Sequence, residues 1–489
     1  MSTAATTPAP PPVLLDEAEI ARARDAVAAE LAARGAVARE RVGVLGGTRP
    51  EMVAARDAAV MCELTVIPLH PQLAAPELAH VIDHARPRAL VVEPGRGAAV
   101  AEAIARHARH QPAVIEVPPV AGAARSPGAA ADLPAGATLI YTSGTTGRPK
   151  GCVRTAGQEA ARAAELVRTY GIGPDDVHLI ACPLAYSAPG ILLRAARRAG
   201  AATALLPRFM ADGFLAAVAA CRATFFFLVP TQYQRLLELP VEQRRASDLS
   251  SVRAALVAGA PMPPALRRAL VDWLGPGRLW EFYGSSETGT VSVLAPDEQL
   301  VHPDTVGRPV PGVELRLESA PGADGGTVGT VGTVGEIFVR SPTVMSGYWD
   351  PASQSAAWPG TADGFLSVGD LGEQAHAGAP LRLIDRIHDT IITGGVNVYP
   401  AEVERALHEH PDVAGAVVFG VADPRWQQRV AALVVRAPGS AVSADDLRAF
   451  LRDRLAPHKL PRQIAFVAAD ELPRSASGKP LRRAAAALL

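Results

Sequence analysis

Short apolar segments alternate with amphipathic ones over the first hundred residues, and this alternation constrains the fold more than any other feature of the chain. Each apolar segment is rich in Val, Leu, Ile and Ala, which is typical of a buried strand. The predicted strands are 42–45, 65–69 and 89–92, and the predicted helices are 15–35, 50–62 and 75–84. Strands that alternate with helices in this way indicate an α/β fold with a parallel sheet covered by helices.

The alternation continues past the first glycine-rich loop and changes near residue 305. The further predicted strands are 179–182, 224–229, 254–257 and 279–283. From about residue 305 the chain is rich in Gly, Val and Thr, which predicts a small antiparallel subdomain. Within it the triplet Thr-Val-Gly occurs three times over 327–335, and we interpret this repeat as an expanded hairpin loop.

A chain of 489 residues exceeds one ordinary core, so division into domains is expected. After a boundary near 386–390 the pattern predicts a separate α+β unit, large enough for a small domain. Its predicted elements are helix 400–409, strands 414–419 and 430–435, helix 443–454 and strand 463–467. We therefore predict a disordered tail over 1–13, a large domain over 14–386 and a small domain over 387–489.

Composition argues against several classes of function. A net charge of −1 gives no overall electrostatic attraction to nucleic acid or to an anionic membrane. No apolar run reaches the roughly 18 residues of a membrane helix, and the Ala/Thr/Pro-rich start lacks the features of a signal peptide. The four cysteines (Cys62, Cys152, Cys182, Cys221) lie far apart, which argues against a disulfide framework. We expect a cytoplasmic protein without nucleic-acid partners or membrane insertion.

Only three of the 48 basic residues are lysine: Lys150, Lys459 and Lys479. An ammonium is a compact point charge, whereas a guanidinium is a planar fork, so a site that needs one charge at one oxygen cannot accept arginine. The alternative explanation is that codon bias made lysine rare and that the three lysines are placed by chance. Two of the three lysines close loops rich in Gly, Ser and Thr, which favours a functional reason.

The first of these loops, over 141–151, follows an apolar strand and combines hydroxyls, glycines and an ammonium. Glycines let backbone N–H groups approach an anion and hydroxyls add donors, so the loop is predicted to bind phosphate. The predicted ligands are Thr142, Ser143, Gly144, Thr145, Thr146 and Lys150. The spacing is not that of a Walker A motif.

A second polar segment, over 283–288, follows the predicted strand at 279–283. Ser286 and Glu287 place a hydroxyl beside a carboxylate. Magnesium is usually held by one or two carboxylates together with phosphate oxygens, so this pair suits a magnesium ion next to a bound nucleotide.

With these motifs in this order, the chain resembles the adenylate-forming superfamily, which includes acyl-CoA synthetases and peptide-synthetase adenylation domains. The resemblance runs from about residue 40 to the C-terminus. It implies ATP and Mg²⁺ as cofactors, with Glu287 as the metal ligand and Lys479 as the catalytic residue. Besides the phosphate-loop residues, it implies nucleotide binding by Gly259, Ala260, Pro261, Tyr283, Gly284, Ser286, Asp370 and Arg386.

The resemblance also implies that the small domain is mobile about a hinge at 386–389 and that CoA is the acceptor. Gly394 and Gly395 would line a pantetheine tunnel, because a thin chain passing close to backbone requires glycine. Trp426 matches a position that stacks near CoA, but Gln427-Gln428 replaces the usual Gly-Glu or Gly-Gln. His388 occupies the hinge position, where Asp or Lys is usual.

In the predicted acid pocket, formed by Tyr186, Val229 and Tyr283, Tyr186 replaces a histidine that usually flanks the carboxylate. The resemblance thus predicts ATP-dependent activation of a small, aryl or short acyl acid as acyl-adenylate, followed by transfer to CoA. One alternative is an adenylating enzyme with another acceptor (a carrier protein or an amine) or a non-carboxylate oxyanion such as nitrite. A second alternative is an inactive nucleotide-binding paralogue. The protein is expected to be a monomer or a homodimer.

His80 and His84 are four residues apart on a predicted helix, a spacing that can hold a metal. No carboxylate motif accompanies them. We interpret the pair as part of a solvated helix face.

Overall fold

The computed structural model describes residues 11–122, 136–142, 149–319, 334–393, 396–474 and 481–489. The elements of the first part are β1 (Val13–Leu14), α1 (Glu17–Ala33), β2 (Arg41–Leu45), α2 (Pro50–Met61), β3 (Thr65–Leu69), α3 (Ala75–Ala85), β4 (Ala89–Val92), α4 (Gly97–His107), β5 (Ala113–Glu116), β6 (Thr138–Thr142), β7 (Lys150–Arg154) and α5 (Ala156–Tyr170). The next are β8 (Val177–Ile180), α6 (Ser187–Arg198), β9 (Ala202–Leu205), α7 (Ala211–Cys221), β10 (Phe225–Leu228), α8 (Pro230–Leu237), α9 (Val241–Ala246), β11 (Ala254–Val257), α10 (Pro264–Leu274), β12 (Leu279–Ser285), β13 (Gly289–Leu294) and β14 (Arg308–Pro309).

The remaining elements form the antiparallel subdomain and the C-terminal unit. They are β15 (Glu314–Ser319), β16 (Gly335–Arg340), β17 (Gly347–Asp350), β18 (Ser355–Ala357), β19 (Leu366–Gln374), β20 (Leu381–Arg386), β21 (Ile391–Thr393), β22 (Val396–Val398), α11 (Pro400–His408), β23 (Val413–Asp423), β24 (Gln427–Arg436), α12 (Ala444–Arg452), β25 (Gln463–Phe466) and α13 (Arg482–Ala486). Two 3₁₀ turns cover Ile387–Asp389 and Pro457–Lys459.

The N-terminal alternation forms a sheet with the strand order β18-β17-β7-β6-β3-β2-β4-β5. The strands from β6 to β5 run parallel, and β7, β17 and β18 add antiparallel pairs at one edge. The central strands β2 and β4 are buried almost throughout, as the apolar runs predict.

A second sheet has the order β1-β9-β8-β10-β11-β12-β13-β14, with parallel pairing from β9 to β12. Helices α1 and α2 contribute to a core cluster that also contains Val44 from one sheet and Leu205 from the other. The two sheets therefore share buried apolar surface, and the predicted class of parallel, helix-covered sheets is confirmed.

The antiparallel subdomain has the strand order β15-β16-β19-β20. Ser319 pairs with Gly335 at the open end of the β15–β16 hairpin, so the chain between them connects two hairpin strands. Most of the Thr-Val-Gly repeat lies outside the described residues, and its interpretation as a hairpin loop stays a prediction.

The C-terminal unit is built on the long β23–β24 hairpin, extended by β21, β22 and β25. Helices α11 and α12 pack on it through a cluster that includes Val403 and Leu447. The N–H of Ala401 donates to Asp385 Oδ2 at 2.6 Å, so the unit is joined to β20 by a direct hydrogen bond.

The structure corrects two sequence predictions of the fold. Val13 pairs with Leu205 in an edge strand, so the predicted tail over 1–13 extends too far, because a two-residue strand leaves no alternation to detect. The strand predicted at 179–182 spans Val177–Ile180 instead. Ala181 and Cys182 are buried in the turn that follows, and buried turn residues have the same apolar pattern as a strand.

Among the described residues, no helix combines the length and the apolar character needed to cross a membrane.

Candidate functional site

The two ends of the predicted phosphate loop lie side by side in the N-terminal sheet. Thr142, the last residue of β6, pairs with Lys150, the first residue of β7. Residues 143–148 lie outside the described residues, so the predicted ligands Ser143, Gly144, Thr145 and Thr146 are not placed. The pairing nevertheless brings the Thr142 hydroxyl and the Lys150 ammonium to the same end of the β6–β7 strand pair, which is the edge of the site.

Glu287, the predicted magnesium ligand, lies against this edge. Thr142 Oγ1 donates to Glu287 Oε1 at 3.0 Å, and the carboxylate is only 8% exposed. The phenol of Tyr348 donates to the same oxygen at 3.2 Å, and Lys150 Nζ lies 5.2 Å from the Tyr348 ring centroid. Burial, followed by the Glu287 charge, raises the pKa of Tyr348. Two motifs that are 145 positions apart in sequence therefore meet.

Sequence reasoning missed Tyr348. Tyr348 lies in β17, and it comes close to Glu287 only because β17 pairs with β7. No spacing in the sequence connects the two residues.

The turn that carries Ser286 and Glu287 requires the glycine before it. A Cβ on Gly284 would lie 2.0 Å from the carbonyl oxygen of Gly289, so no other residue fits at this point of the β12–β13 hairpin. Ser285 Oγ accepts hydrogen bonds from the N–H groups of Glu287 at 3.1 Å and Thr288 at 3.0 Å. Ser286 is thus held in a closed turn beside the phosphate loop.

Asp370 lies at the centre of a second cluster. The phenol of Tyr283 donates to Asp370 Oδ2 at 2.7 Å, and Arg386 Nε lies 3.1 Å from Asp370 Oδ1. Burial and the nearby Asp370 carboxylate raise the pKa of Tyr283 well above its usual value. Although burial opposes it, the charge of Asp370 raises the pKa of Arg386. Three residues predicted from separate motifs are therefore in direct contact.

Gly259, Ala260 and Pro261 follow β11 at the carboxyl end of the second sheet. Gly259 has a φ of +93°, a backbone conformation that favours glycine. A Cβ there would lie 3.5 Å from Val229 Cγ1, so this turn and the predicted pocket residue Val229 are neighbours.

Tyr186, at the start of α6, stacks on His70, which follows β3. The ring centroids are 5.5 Å apart with an interplanar angle of 28°. Burial raises the pKa of the phenol and lowers the pKa of the imidazole. The N–H of Gln72 donates to His70 Nδ1 at 3.2 Å. Sequence reasoning missed His70, because neither its spacing nor its neighbours marks it.

The interpretation of His80 and His84 as a solvated face is wrong. His84 Nδ1 is 2.7 Å from the Tyr141 hydroxyl, and His80 Nε2 is 3.5 Å from the carbonyl oxygen of Pro149. Both histidines are partly buried at the two ends of the predicted phosphate loop, because α3 shares a core cluster with residues of β6 and β7. Among the described residues there is no group of three or more His, Cys, Asp or Glu that could hold a metal by itself.

On the C-terminal unit, two guanidinium groups lie close to the Trp426 ring. Arg425 and Arg462 lie 5.0 and 4.8 Å from its ring centroid. Gln427, at the position where the family usually has glycine, has a φ of +65°. Gln428 Oε1 accepts a hydrogen bond from the N–H of Ile392 at 2.8 Å.

The predicted tunnel residues Gly394 and Gly395 lie outside the described residues, as does the predicted catalytic residue Lys479. Arg482, three positions after Lys479, is described: it donates to Asp389 Oδ2 at 2.8 Å and to Glu404 at 3.0 Å. The predicted hinge residue His388 lies in the 3₁₀ turn with Asp389, and a Cβ on Gly369 would be 3.7 Å from its ring.

Comparison with known proteins places the chain among enzymes. The family model for AMP-binding enzymes matches residues 18–349, and the model for the AMP-binding enzyme C-terminal domain matches residues 402–479. A feruloyl-CoA synthase from an Amycolatopsis species is 34% identical over 483 residues, which cover 96% of this chain and 92% of that relative.

Two solved structures are similar over nearly the whole chain. The amide bond synthetase McbA from Marinactinospora thermotolerans has a TM-score of 0.84 and 32% identity, with 97% of this chain and 95% of that chain covered. The o-succinylbenzoate CoA synthetase MenE from Bacillus subtilis, in complex with its acyl-adenylate intermediate, has a TM-score of 0.79 and 29% identity. The alignment covers 95% of this chain and 92% of MenE.

Proposed function

The chain belongs to the family of AMP-binding enzymes in the adenylate-forming superfamily, and from this premise we propose that it activates a small aryl carboxylic acid with ATP and transfers the acyl group to CoA. The single observation that carries the proposal is the 3.0 Å hydrogen bond between Thr142 and Glu287, which joins the phosphate loop to the candidate metal ligand. An adenylating enzyme needs these two groups next to each other, because the metal and the loop bind the same phosphates.

The residues of the site fit the groups that this reaction requires. A carboxylate has about four lone-pair positions, and Asp370 uses one oxygen for Tyr283 and the other for Arg386, so capacity is left for the two ribose hydroxyls. Glu287 supplies one buried carboxylate beside a hydroxyl, which suits magnesium held jointly with phosphate. Magnesium bound there would supply charge neutralisation for the phosphates.

In the first step a carboxylate oxygen of the acid attacks the α-phosphorus of ATP. The acyl–oxygen–phosphorus linkage forms and the bond to pyrophosphate breaks. Both partners are anions, so we assign to the Lys479 ammonium the stabilisation of the negative charge that develops between them. Thr142 and Lys150 would bind the phosphates, and Asp370 would hold the ribose.

In the second step the CoA sulfur, after losing its proton, attacks the acyl carbon, and AMP leaves. Gly394, Gly395 and Trp426 would guide the thiol to the adenylate, after the small domain has turned about the hinge at His388.

An aryl acid is favoured by the rings around the predicted pocket. The predicted pocket residue Tyr186 stacks on the His70 ring. The names of two relatives, a feruloyl-CoA synthase and an o-succinylbenzoate CoA synthetase, also refer to aromatic acids.

An amine acceptor is the second candidate, and a specific observation favours it. Gln427 occupies a left-handed backbone conformation where the family usually has glycine, and the Gln428 side chain is bound to Ile392 rather than free to receive CoA. One similar structure is an amide bond synthetase.

Pyrophosphate release tests the proposal directly. The full chain is incubated with ATP, Mg²⁺ and a panel of aryl, arylalkyl, short acyl and nitrite substrates, with CoA, with an amine or with neither. We expect release with aryl acids and a thioester by mass spectrometry only when CoA is present. Release with an amide as product would identify an amine, in place of CoA, as the acceptor. No pyrophosphate release with any acid would identify an inactive paralogue.

A further inference from the structure

Arg154, the last residue of β7, is a fully buried arginine that no motif of the family accounts for. Its exposed fraction is 0%, and its Nε has no hydrogen-bond partner among the described residues. The nearest carboxylate oxygen, on Glu159, is 4.0 Å from that nitrogen, too far for a hydrogen bond. A buried guanidinium without a bonded carboxylate is costly, so its contacts need a reason.

Both terminal nitrogens of Arg154 bind backbone carbonyls of the candidate site. Nη2 donates to the carbonyl of Ser286, and Nη1 donates to the carbonyl of Thr343 at 2.5 Å. The thiol of Cys152, two residues earlier on the same strand, also donates to the Ser286 carbonyl at 3.2 Å. Strand β7 therefore begins at Lys150 and ends at Arg154, whose side chain holds the turn that carries Glu287.

The carbonyls that follow Ser286 in this turn are also held. The N–H of Met345 donates to the Glu287 carbonyl at 2.8 Å, and Thr343 Oγ1 donates to the Thr288 carbonyl at 3.2 Å. Arg154 also holds the carbonyl of Thr343 itself. It therefore fixes both the turn and the segment that supports the turn.

That segment continues into Tyr348, whose phenol donates to Glu287. The guanidinium thus joins β7 to the turn that carries Glu287 and to the segment 341–346, which leads into Tyr348. We propose that Arg154 is a positioning residue for the metal and phosphate site, which holds Glu287 where Thr142 and Tyr348 meet it. This inference rests on the proposed function.

The test measures metal-dependent nucleotide binding rather than turnover. The non-reactive analogue α,β-methylene-ATP is titrated calorimetrically into the protein without acid, over a range of free Mg²⁺ concentrations. For Arg154→Met we expect the Mg²⁺ concentration for half-maximal binding to rise about tenfold, because the ligand Glu287 is no longer held in place. Binding of the analogue in EDTA should not change.

Arg197 provides the matched control. It is also a buried arginine, but it pairs with Asp57 at 2.8 Å and with Glu17 at 2.7 Å, and it touches none of the site residues. Arg197→Met should lower the melting temperature and leave the Mg²⁺ midpoint at the parental value. Arg154→Gln keeps one amide donor for one carbonyl, and we expect an intermediate midpoint.

A parental Mg²⁺ midpoint in Arg154→Met, at whatever melting temperature, would overturn the inference and leave the proposed function intact. If Arg154→Met does not fold, an unchanged midpoint in Arg154→Gln overturns it equally. Failure of the proposed function looks different, since the parent protein itself would then show no Mg²⁺-dependent binding of the analogue.

Discussion

At the scale of single residues, Asp370 shows how the fold can orient a carboxylate that is predicted to bind the nucleotide. In isolation an aspartate after glycine is typical of a turn. Here both of its oxygens are oriented, one by the Tyr283 phenol and the other by Arg386, and it is 8% exposed. A carboxylate held from two sides loses little freedom when a ligand binds, which favours affinity.

Removal of the Tyr283 hydroxyl should therefore weaken nucleotide binding without unfolding the protein. A hydrogen bond to a charged group contributes about 1.5 to 3 kcal/mol, so we expect Tyr283→Phe to raise the Kd for α,β-methylene-ATP about tenfold or more. Inorganic tripolyphosphate, which lacks the ribose, should bind as it does to the parent. Calorimetric titration measures both.

Tyr170 is the control for the loss of a buried hydroxyl. It is 3% exposed, and its oxygen has no hydrogen-bond partner among the described residues. Tyr170→Phe should leave nucleotide affinity unchanged. Equal affinities in Tyr283→Phe and in the parent would contradict the role given to Asp370.

The residues that sequence motifs predicted and those they missed differ in a physical way. Glu287 lies in a short segment whose composition already suggests anion binding, and the family resemblance pointed to Asp370 and Arg386. Tyr348 and Arg154 acquire their contacts only when β7 and β17 pair, and an isolated tyrosine or arginine in a strand carries no signal. The roles of all these residues stay predictions until they are tested.

At the scale of elements, one buried carboxylate connects β6, α5 and α6. Glu159 accepts a hydrogen bond from Thr138 at 2.9 Å and lies 3.3 Å from Arg162 and 3.4 Å from Arg194. Although burial alone would raise it, these arginines together with Arg154 lower the pKa of Glu159 to about 2. Strand β6, which leads into the predicted phosphate loop, and the helices α5 and α6 thus share one counter-ion.

We expect Glu159→Gln to lower the free energy of unfolding by about 3 to 5 kcal/mol at neutral pH, because several buried guanidinium groups lose their partner. The folded pKa is below the ordinary value of 4.5, so the stabilisation is present above pH 4.5 and is lost as the pH falls toward 2. The difference between parent and variant should therefore shrink over that range. Urea unfolding followed by tryptophan fluorescence measures it.

Glu298→Gln is the surface control. Its ion pair with Arg308 is 2.8 Å long and more exposed, so its loss should cost about 1 kcal/mol or less. A Glu159→Gln protein as stable as this control would show that the buried cluster does not hold the elements together.

Apolar runs predicted the central strands of both sheets, such as β2, β3 and β10, because these strands are buried almost throughout. Apolar runs did not predict the edge strands β1, β14 and β18, which have two or three residues each. Such strands are stabilised by hydrogen bonds to a neighbouring strand, and two or three residues are too few to show an alternating pattern.

At the scale of the whole molecule, the C-terminal unit holds the chain on both sides of the segment that contains Lys479, since Leu472 before it and Ala485 after it belong to one core cluster. After that segment, Arg482 binds Asp389 of the predicted hinge turn and Glu404 of α11. Motion of the unit about the hinge would therefore carry this segment with it. Adenylation as proposed thus requires a lysine on the small unit to act on a nucleotide bound by the large domain.

Lys479→Ala tests this requirement most directly, with Lys459→Ala as the control, since Lys459 is bound to Glu402 at 2.7 Å on the same unit. Single-turnover pyrophosphate release is measured with the acid that the parent uses fastest. We predict that Lys479→Ala forms the adenylate about 10² to 10³ times more slowly, while Lys459→Ala retains the parental rate. Adenylate formation at the parental rate by Lys479→Ala would contradict the account.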